Sequence, residues 1–408
     1  MDEIANNIPW VTWSEADEPQ SARWRSESGV APPKRIVIAD DTLNADTAYR
    51  LACEGTALLW RGDFQNARQL VQALARRVDR KPQKPARAGK VAAAPSPADA
   101  FHLHRQAQAQ RARVLASVLI PLNADYSIPL RRAPDLKLAC TEAWGPAGDR
   151  DGALEGAGKS VVSLRELLGL IGAHEWRKKG VAIPALGDGS EADGPSGNRI
   201  HPHYGVFSPV RGEYVGLVAT APLPRSLAGQ SMAFDIGTGT GVLAAVLARR
   251  GVARVIATDQ DPRALACARD NIARLELNGQ VQVLEADLFP PGRAPLLVCN
   301  PPWLPGRASS PIERAVYDEG SGMLRGFLSG LAAHLAPGGE GWLILSDFAE
   351  HLGLRTRAEL LALFDGAGLK VKARLDARPH HPKVADVDDP LHAARAREVT
   401  SLWRLVPV

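Results

Sequence analysis

From His201 onward, the chain alternates short apolar runs with stretches that carry apolar residues at helical spacing. This alternation favours a parallel β-sheet covered by α-helices, because the chain must cross the sheet through a helix before it adds the next parallel strand. The predicted helices lie at residues 242–250, 262–275, 322–335 and 355–366. The predicted strands lie at residues 232–236, 252–258, 281–285, 296–299, 340–346, 369–377 and 399–406.

A glycine-rich turn follows the first of these strands, with the sequence Asp-Ile-Gly-Thr-Gly-Thr-Gly at residues 235–241. Glycine lets the backbone turn sharply and approach a ligand without a clash from Cβ. The amides at the start of the next helix can then face an anion. Such a turn by itself also suits a nicotinamide dinucleotide. The candidate cofactor-binding residues of this turn are Asp235, Gly237, Thr238, Gly239 and Gly241.

An acidic residue, Asp259, ends the second predicted strand, about 20 residues beyond the glycines. A carboxylate at that position can accept hydrogen bonds from both hydroxyls of a ribose. The neighbouring Asp261 precedes Pro262 and is expected to cap the next helix instead. We therefore assign Asp259, and not Asp261, to the cofactor.

The segment Asn300-Pro301-Pro302-Trp303 follows the fourth predicted strand. An Asn-Pro pair often does no more than begin a turn. Together with the glycine turn, however, this segment resembles the class I S-adenosylmethionine (SAM) methyltransferases, in the HemK/PrmC-like small methyltransferase superfamily. Tyr or Phe is commoner in that family where this chain has Trp303. The resemblance covers about residues 200–408 and does not reach the first 200 residues.

The resemblance implies a Rossmann-like α/β domain with a seven-stranded sheet, whose last hairpin makes one strand antiparallel. It also implies SAM as the cofactor. In such a site Asp235 would meet the positively charged end of SAM, Asp287 would bind the adenine amine and Leu288 would pack on the ring. The segment 201–209 resembles the family's cover over the SAM pocket, which makes Phe207 a further candidate, with Tyr204 beside it.

The catalytic residues implied by the resemblance are Asn300, Pro301, Pro302 and Trp303, and their chemistry suits a planar nitrogen. Amide and exocyclic amine nitrogens are poor nucleophiles because their lone pairs are delocalised. The side-chain oxygen of Asn300 and the carbonyl of Pro301 would hold the N–H groups while charge develops on nitrogen. Two prolines stiffen the segment, and the ring of Trp303 offers a flat face for stacking. This scheme needs no metal.

Residues 1–198 are expected to form a mainly helical or mixed region that recognises the substrate, with the methyltransferase domain at 199–408. Residues 80–100 contain Lys, Arg, Pro and Ala and predict a flexible linker. Helices are predicted at 64–78, 101–119 and 164–171, and a strand at 35–39. A basic cluster extends over residues 76–90. We interpret it as solvated, with contact to RNA phosphates as the alternative.

The composition is that of an ordinary globular protein, with a formal net charge of +4 over 408 residues. The four cysteines show no Cys-x-x-Cys spacing and are interpreted as buried thiols in a reducing compartment. No apolar stretch approaches the ~20 residues that cross a bilayer, and the N-terminus lacks a signal pattern. We therefore expect a cytoplasmic protein that contacts no membrane.

The expected activity is N-methylation of a macromolecule, with translation-related protein or RNA as the substrate. A glutamine amide of a protein and an exocyclic amine of a ribosomal RNA base both suit Asn300. Two other classes are weighed against this reading. One is a non-catalytic SAM-binding or assembly protein, which would have no need of the intact Asn-Pro-Pro. The other is an NAD-binding oxidoreductase, which the glycine spacing disfavours. The oligomeric state is not predicted.

Overall fold

The computed structural model describes residues 9–80, 95–147, 158–187, 189, 197–308, 312–380 and 386–408. The chain forms two compact units. The first lies within Met1–Ala94 and His102–Glu175, and the second within Pro95–Phe101 and Trp176–Val408. Most of the predicted linker, residues 81–94, and most of the loop predicted before residue 199 lie outside the described residues. The domain boundary at residues 198 and 199 stays a prediction.

The first unit is built on a six-stranded mixed sheet in the order β1-β2-β6-β5-β4-β3. Its strands are β1 (Trp10–Glu15), β2 (Glu18–Arg25), β3 (Arg35–Ala39), β4 (Thr56–Trp60), β5 (Val118–Leu122) and β6 (Ser160–Ser163). The helices that begin or end in this unit are α1 (Ala45–Cys53), α2 (Phe64–Val78), α3 (Pro97–Leu115), α4 (Lys137–Trp144) and α5 (Leu164–Lys179).

The first unit therefore contains both helices and strands. Of the two structures expected from the sequence, mainly helical or mixed, the mixed one is observed. The predicted strand at 35–39 and helix at 64–78 have the observed bounds. Helix α3 begins at Pro97, inside the predicted linker, and ends at Leu115. The prediction of helix as far as residue 119 was wrong, because Val118 and Leu119 belong to the buried strand β5.

The second unit contains a seven-stranded sheet in the order β11-β10-β9-β12-β13-β15-β14. Its helices are α6 (Gly212–Thr220), α7 (Val242–Arg249), α8 (Pro262–Arg274), α9 (Gly322–His334), α10 (Phe348–His351), α11 (Arg357–Gly366) and α12 (His392–Arg395). Its strands are a short pair, β7 (Val181–Ala182) and β8 (Arg199–Ile200), and then β9 (Met232–Ile236), β10 (Arg254–Asp259), β11 (Val281–Glu285), β12 (Ala294–Cys299), β13 (Leu335–Ser346), β14 (Leu369–Ala377) and β15 (Thr400–Pro407).

The seven-stranded methyltransferase sheet predicted from the resemblance is confirmed. Strand β15 is antiparallel to both of its neighbours, β13 and β14, while β9 to β13 are parallel. One bound differs clearly from the prediction. Strand β13 begins at Leu335 and not at Glu340, because Leu335 pairs with Ala294 before the register shifts to Glu340 opposite Leu296.

Apolar side chains cover both faces of this sheet. On β12, Leu296 and Val298 belong to one buried cluster, whereas Leu297 and Cys299 belong to another. A strand buried on both faces appears in the sequence as a continuous apolar run, because neither face needs polar residues. This explains why the run before Asn300 predicted a central strand.

The strand register brings four strand ends to one edge of the sheet. Ile236 at the end of β9 pairs with Thr258 on β10 and with Cys299 on β12. One strand further out, Asp259 pairs with Glu285. In parallel sheets ligands bind outside the carboxyl ends of the strands. The residues that follow these strand ends therefore form the candidate ligand site.

Two expectations about composition have an outcome in the structure. The cysteines are all free thiols, but only Cys140, Cys267 and Cys299 are buried; Cys53 is exposed, so the prediction of four buried thiols was wrong for it. Its position near the end of the short helix α1 leaves the side chain at the surface. In the part of the chain that the structure describes, no helix combines the length and the apolar character needed to span a bilayer.

Candidate active site

The glycine turn connects β9 to α7 through three left-handed backbone positions. The φ angles are +71° at Gly237, +55° at Gly239 and +81° at Gly241, a conformation that side chains with a Cβ rarely adopt. A Cβ on Gly241 would lie 3.3 Å from Cα of Ala268 in α8, so this glycine allows close helix packing. A Cβ on Gly239 would meet no heavy atom of the described residues within 4 Å, so space is open there.

Asp235 fixes the shape of this turn from beneath. Its carboxylate accepts hydrogen bonds from the Thr238 hydroxyl at 2.6 Å and from the Ala244 backbone N–H at 3.0 Å. The side chain is almost fully buried, and burial raises its pKa to about 6, with a further increase from the charge of Asp259. The observed contacts of Asp235 are thus with the turn itself and with the start of α7.

Asp259 lies at the end of β10 and contacts the same turn from the side. One carboxylate oxygen accepts the backbone N–H of Gly239 at 3.0 Å, and the other accepts that of Asp261 at 3.0 Å. Burial raises the pKa of Asp259. Asp261 caps α8 by accepting the N–H of Arg263 at 2.9 Å, as the sequence predicted. The two neighbouring acids therefore have different tasks.

Asp287 and Leu288 follow the end of β11. Asp287 is exposed, and Leu288 is half-buried with a left-handed φ of +67°. The Leu288 carbonyl accepts the hydroxyl of Thr258 at 2.5 Å, and its side chain packs against Gly326 of α9, where a Cβ would lie 2.6 Å from Leu288 Cδ1. These contacts hold Leu288 beside the end of β10, at the same edge of the sheet as the glycine turn.

The segment 201–209 contacts α8 through several side chains, among them Asn271, which has no exposed surface. The Asn271 side chain accepts the N–H of His201 at 2.7 Å and donates to the His201 carbonyl at 3.2 Å and to the Thr240 carbonyl at 3.0 Å. One side chain thus joins this segment to the glycine turn. Phe207 and Tyr204 are both half-buried, and the guanidinium of Arg263 lies 5.8 Å from the Tyr204 ring centroid.

The Asn300–Trp303 segment leaves the end of β12, next to the glycine turn. Asn300 is half-buried, Pro301 is buried, and Pro302 and Trp303 are half-buried. The indole N–H of Trp303 donates to the side-chain oxygen of Asn300 at 2.9 Å. The guanidinium of Arg211 lies over the Trp303 ring, 4.9 Å from its centroid.

The chain returns to this segment just before α9. The Leu304 N–H donates to the Val316 carbonyl at 3.1 Å, and the Leu304 carbonyl accepts the N–H of Asp318 at 2.9 Å. The Asp318 carboxylate then accepts the N–H groups of Met323 and Leu324, both at 3.1 Å, in the first turn of α9. Asp318 thereby connects the Asn300–Trp303 segment to the start of that helix.

Several residues of the site were not singled out from the sequence. They are far from the motifs along the chain and have ordinary local patterns: Arg211, Asn271, Met323 and Glu398. Met323 contacts the turn directly, since a Cβ on Gly237 would lie 2.3 Å from its Cε. The helix predicted to begin at residue 322 does begin there, but the contact of Asp318 with its first turn was not predicted. An acid a few residues before a predicted helix is the one signal that could have identified that contact.

These residues fit SAM in two respects. The open space at Gly239 lies between left-handed glycines, where a ligand can approach the backbone closely. Burial and the charge of Asp259 raise the pKa of Asp235, a cost of ionisation that a cationic ligand would offset. Within the described residues, no group of three or more His, Cys, Asp or Glu side chains is arranged to hold a metal ion.

Residues 197–356 match the family model described as the methyltransferase small domain. This part of the chain, about two fifths of its length, is similar to the methyltransferase small domain. The match contains the glycine turn, Asp259, Asp287 and Asn300, while β14 and β15 lie beyond it. The resemblance found in the sequence, to HemK/PrmC-like class I SAM methyltransferases, is confirmed by this match together with the curated relatives.

Two of these relatives are release factor glutamine methyltransferases. The protein from Cereibacter sphaeroides is 35% identical over 165 residues, or 35% of this chain and 59% of the relative. The protein from Caulobacter vibrioides is 34% identical over 176 residues, or 40% of this chain and 61% of the relative. The chain thus spans about three fifths of the length of each of these relatives.

The name of a third relative describes an RNA substrate. The tRNA1(Val) (adenine(37)-N6)-methyltransferase of Bacteroides thetaiotaomicron is 33% identical over 94 residues, which cover 22% of this chain and 40% of that protein. Proteins similar to part of this chain are therefore named for both protein and RNA substrates.

Proposed function

We propose that this protein is a SAM-dependent N-methyltransferase that acts on a planar amide or exocyclic amine nitrogen of a translation-related macromolecule. The proposal rests mainly on the register between β9 and β12. Because Cys299 pairs with Ile236, the glycine turn and Asn300 leave adjacent parallel strands at the same level. A cofactor bound at the turn and a nitrogen bound at Asn300 would then be neighbours, as methyl transfer requires.

In the proposed site, the cofactor is held by the candidate residues of the three strand ends. The glycine turn would contact the amino-acid part of SAM, with Asp235 beneath it. Asp259 would accept the ribose hydroxyls, Asp287 the adenine amine, and Leu288 and Phe207 would pack on the adenine side. When bound there, SAM supplies an electrophilic methyl group on its sulfonium.

The chain's own task is to make a poor nucleophile reactive. The side-chain oxygen of Asn300 would accept one N–H of the substrate, and the carbonyl of Pro301 would accept the other. Because both acceptors are fixed before the reaction, they favour the state in which positive charge develops on nitrogen. The two prolines limit backbone motion at this point. The ring of Trp303 would form one wall of the pocket for the amide or base.

Of the two substrate classes, the glutamine amide of a protein is the first candidate. The release factor glutamine methyltransferases match over 165 and 176 residues, whereas the RNA-modifying relative matches over 94. Residues 1–198 would select the substrate and 199–408 would transfer the methyl group, in the cytoplasm where translation takes place.

The basic cluster at residues 76–90 is described only in part. Arg77 forms an ion pair with Asp46 at 2.8 Å, while residues 81–90 lie outside the described ranges.

The test is transfer of labelled methyl from SAM into an extract of a strain that lacks this gene, separated into RNA, DNA and protein. The Asn300→Ala variant is the blank, and calorimetric binding of SAM but not NAD to both proteins is the control for a formed cofactor site. Label in protein, and in purified release factor above all, is the expected result. Label in RNA would select the base amine. No label in any fraction, with SAM still bound, would overturn the proposed activity on a macromolecule.

A further inference from the structure

The side-chain amide of Asn300 has two ends with opposite hydrogen-bonding properties. Its oxygen only accepts hydrogen bonds, whereas its NH₂ group only donates them. The indole N–H of Trp303 is a donor without acceptor capacity. Since this N–H lies 2.9 Å from the end assigned as Oδ1, the reverse orientation of the amide would bring two donors together. The indole therefore selects which end of the Asn300 amide occupies this position.

The indole is itself held by Arg211, the residue before α6. The Arg211 guanidinium lies 4.9 Å from the centroid of the Trp303 ring and donates to Glu213 at 2.7 Å and to Glu398 at 2.9 Å. Charge-assisted hydrogen bonds from a planar guanidinium fix its orientation as well as its position. Its contact with the ring is a cation–π interaction.

Glu398, the second carboxylate that Arg211 contacts, is anchored to strand β13. The side chain of Glu398 is only 2% exposed and also accepts the hydroxyl of Ser346, the last residue of β13, at 2.7 Å. Ser346 further accepts the backbone N–H of Phe348 at 3.0 Å. A continuous set of contacts therefore runs from the end of β13 through Glu398 and Arg211 to the ring of Trp303.

We propose that Trp303 is a positioning residue, whose indole N–H, supported by Arg211, holds the side-chain oxygen of Asn300 toward the substrate nitrogen. This inference rests on the proposed function. An amide oxygen can accept two hydrogen bonds, so one indole N–H leaves a second acceptor position for an N–H of the substrate. A Tyr or Phe, commoner at this position in the family that the sequence resembles, carries no ring N–H. The tryptophan therefore adds a contact that the motif does not require.

The hydrogen bond can be tested without any substrate. In the full chain labelled with ¹⁵N-tryptophan, the Trp303 indole signal is identified by its loss in Trp303→Phe. We expect Asn300→Ala to move that signal and to speed exchange of its proton with water. The matched control is Asn278→Ala, which alters an exposed asparagine. A Trp303 signal that is the same in Asn300→Ala as in the wild type would overturn the proposal.

The catalytic consequence is tested with an isosteric replacement of one atom group. At position 303, 3-benzothienylalanine retains the shape of tryptophan but has sulfur in place of the indole N–H. With the labelled substrate fraction of the transfer experiment, we expect kcat to fall about 10- to 100-fold, the range for misplacing a catalytic group. The KM of the substrate and the Kd of SAM should change less than about threefold, since the ring face remains in place.

Two further variants complete the test. Arg211→Met should also lower kcat, because the indole loses its support, whereas Trp176→Phe alters an exposed tryptophan and should change neither constant. An unchanged kcat with benzothienylalanine would overturn the positioning role while leaving the proposed function intact. A wild-type protein that methylates no fraction would instead overturn the proposed function, and the indole signal would still decide whether Trp303 holds Asn300.

Discussion

The carboxylate of Asp259 accepts the backbone N–H of Gly239 at 3.0 Å, so the end of β10 is joined directly to the turn after β9. The acid that is proposed to bind the ribose of SAM and the turn that is proposed to bind its amino-acid part thus have a fixed separation. Because the same carboxylate also accepts the N–H of Asp261, its direction is set from two sides. This part of the site is preorganised, which lowers the cost of ordering it when a ligand binds.

Asp259→Ala is expected to lower SAM affinity about 10- to 100-fold, because the removed hydrogen bonds to a charged acceptor contribute about 1.5–3 kcal/mol. The matched control is Asp261→Ala, two residues away. That variant loses the cap of α8 and should lower the free energy of unfolding by about 1 kcal/mol while leaving SAM affinity unchanged. Calorimetric titration and urea denaturation measure the two quantities. Equal SAM affinity in both variants would remove Asp259 from the cofactor site.

Gly239→Ala should place a methyl group in the open space of the turn and lower SAM affinity about tenfold or more. The left-handed φ also costs stability, about 1–2 kcal/mol. Gly251→Ala separates the two effects, since Gly251 has a φ of +90° and a Cβ there would equally meet no heavy atom of the described residues within 4 Å. We expect both variants to lose similar stability in thermal unfolding. Only Gly239→Ala should weaken SAM binding.

Asp235 should make stability and SAM binding depend on pH. Its pKa in the folded state, about 6, is above the ordinary 3.8. The folded protein therefore binds more protons than the unfolded chain between these values, and the free energy of unfolding falls as pH rises through this window. SAM affinity should change in the opposite direction, rising about tenfold from about pH 5 to about pH 7, because the ionised carboxylate favours a cation.

The check on Asp235 is a comparison with Asp235→Asn across the same pH range. The asparagine oxygen can still accept from Thr238 and Ala244 but carries no charge. We expect both pH dependences to flatten in this variant, and to persist in Asp365→Asn, which removes an exposed carboxylate. A SAM affinity with the same pH profile in Asp235→Asn as in the wild type would assign the titration to another group.

Asn271→Ala should destabilise the second unit by about 3 kcal/mol, because two backbone carbonyls and one N–H lose a buried partner. It should also weaken SAM binding, since the segment 201–209 and the glycine turn are no longer joined through Thr240. Denaturation and calorimetry measure the two effects. Asn278→Ala removes an exposed asparagine nearby and should change neither. A loss of stability with full SAM affinity would limit Asn271 to a structural role.

Glu340 is fully buried and accepts from Arg404 at 2.7 and 2.8 Å and from Lys372 at 2.7 Å. Burial alone would raise its pKa, but these hydrogen bonds outweigh burial and lower it below 4.5. Glu340→Ala should cost about 3–5 kcal/mol, because Arg404 is left buried without its partner. The stabilisation is present above the ordinary pKa and is lost as pH falls below it.

Chemical denaturation at neutral and acidic pH tests the role of Glu340. The difference between the wild type and Glu340→Ala should shrink as pH falls below about 4.5. The control is Glu54→Ala, which breaks an exposed pair with Arg50 and should cost less than about 1 kcal/mol. A difference that is constant with pH would show that packing, and not the charge of Glu340, stabilises this corner of the sheet.

The sequence predicted the second unit better than the first for a physical reason. Strands such as β9 and β12 are buried on both faces, so their apolar runs stand out from their surroundings. In the first unit, β2 begins with four exposed residues and β6 has only four residues in all. Neither strand shows a clear alternation of apolar and polar residues. The sheet there depends on pairing between distant segments, such as Arg23 with Ser160.

Some features of the candidate site could be predicted from the sequence and others could not. The positions of Asp235, Asp259 and Asn300 at strand ends could be predicted, because a strand end is a local feature and parallel register aligns the ends. The hydrogen bond from Trp303 to Asn300 could not, since it depends on two side-chain rotamers. The contact of Arg211 with Glu398 joins residues 187 positions apart. No local pattern reports such a pair.

The paired backbone hydrogen bonds that join Leu304 to Val316 and Asp318 have an evolutionary consequence. They close the chain into a loop whose two ends are held at fixed positions, so its length and composition can change without moving Asn300 or the first turn of α9. Each doubling of such a loop costs only about 0.6 kcal/mol in closure entropy. Insertions and deletions in this stretch can therefore accumulate between relatives while the two segments that it joins keep their positions.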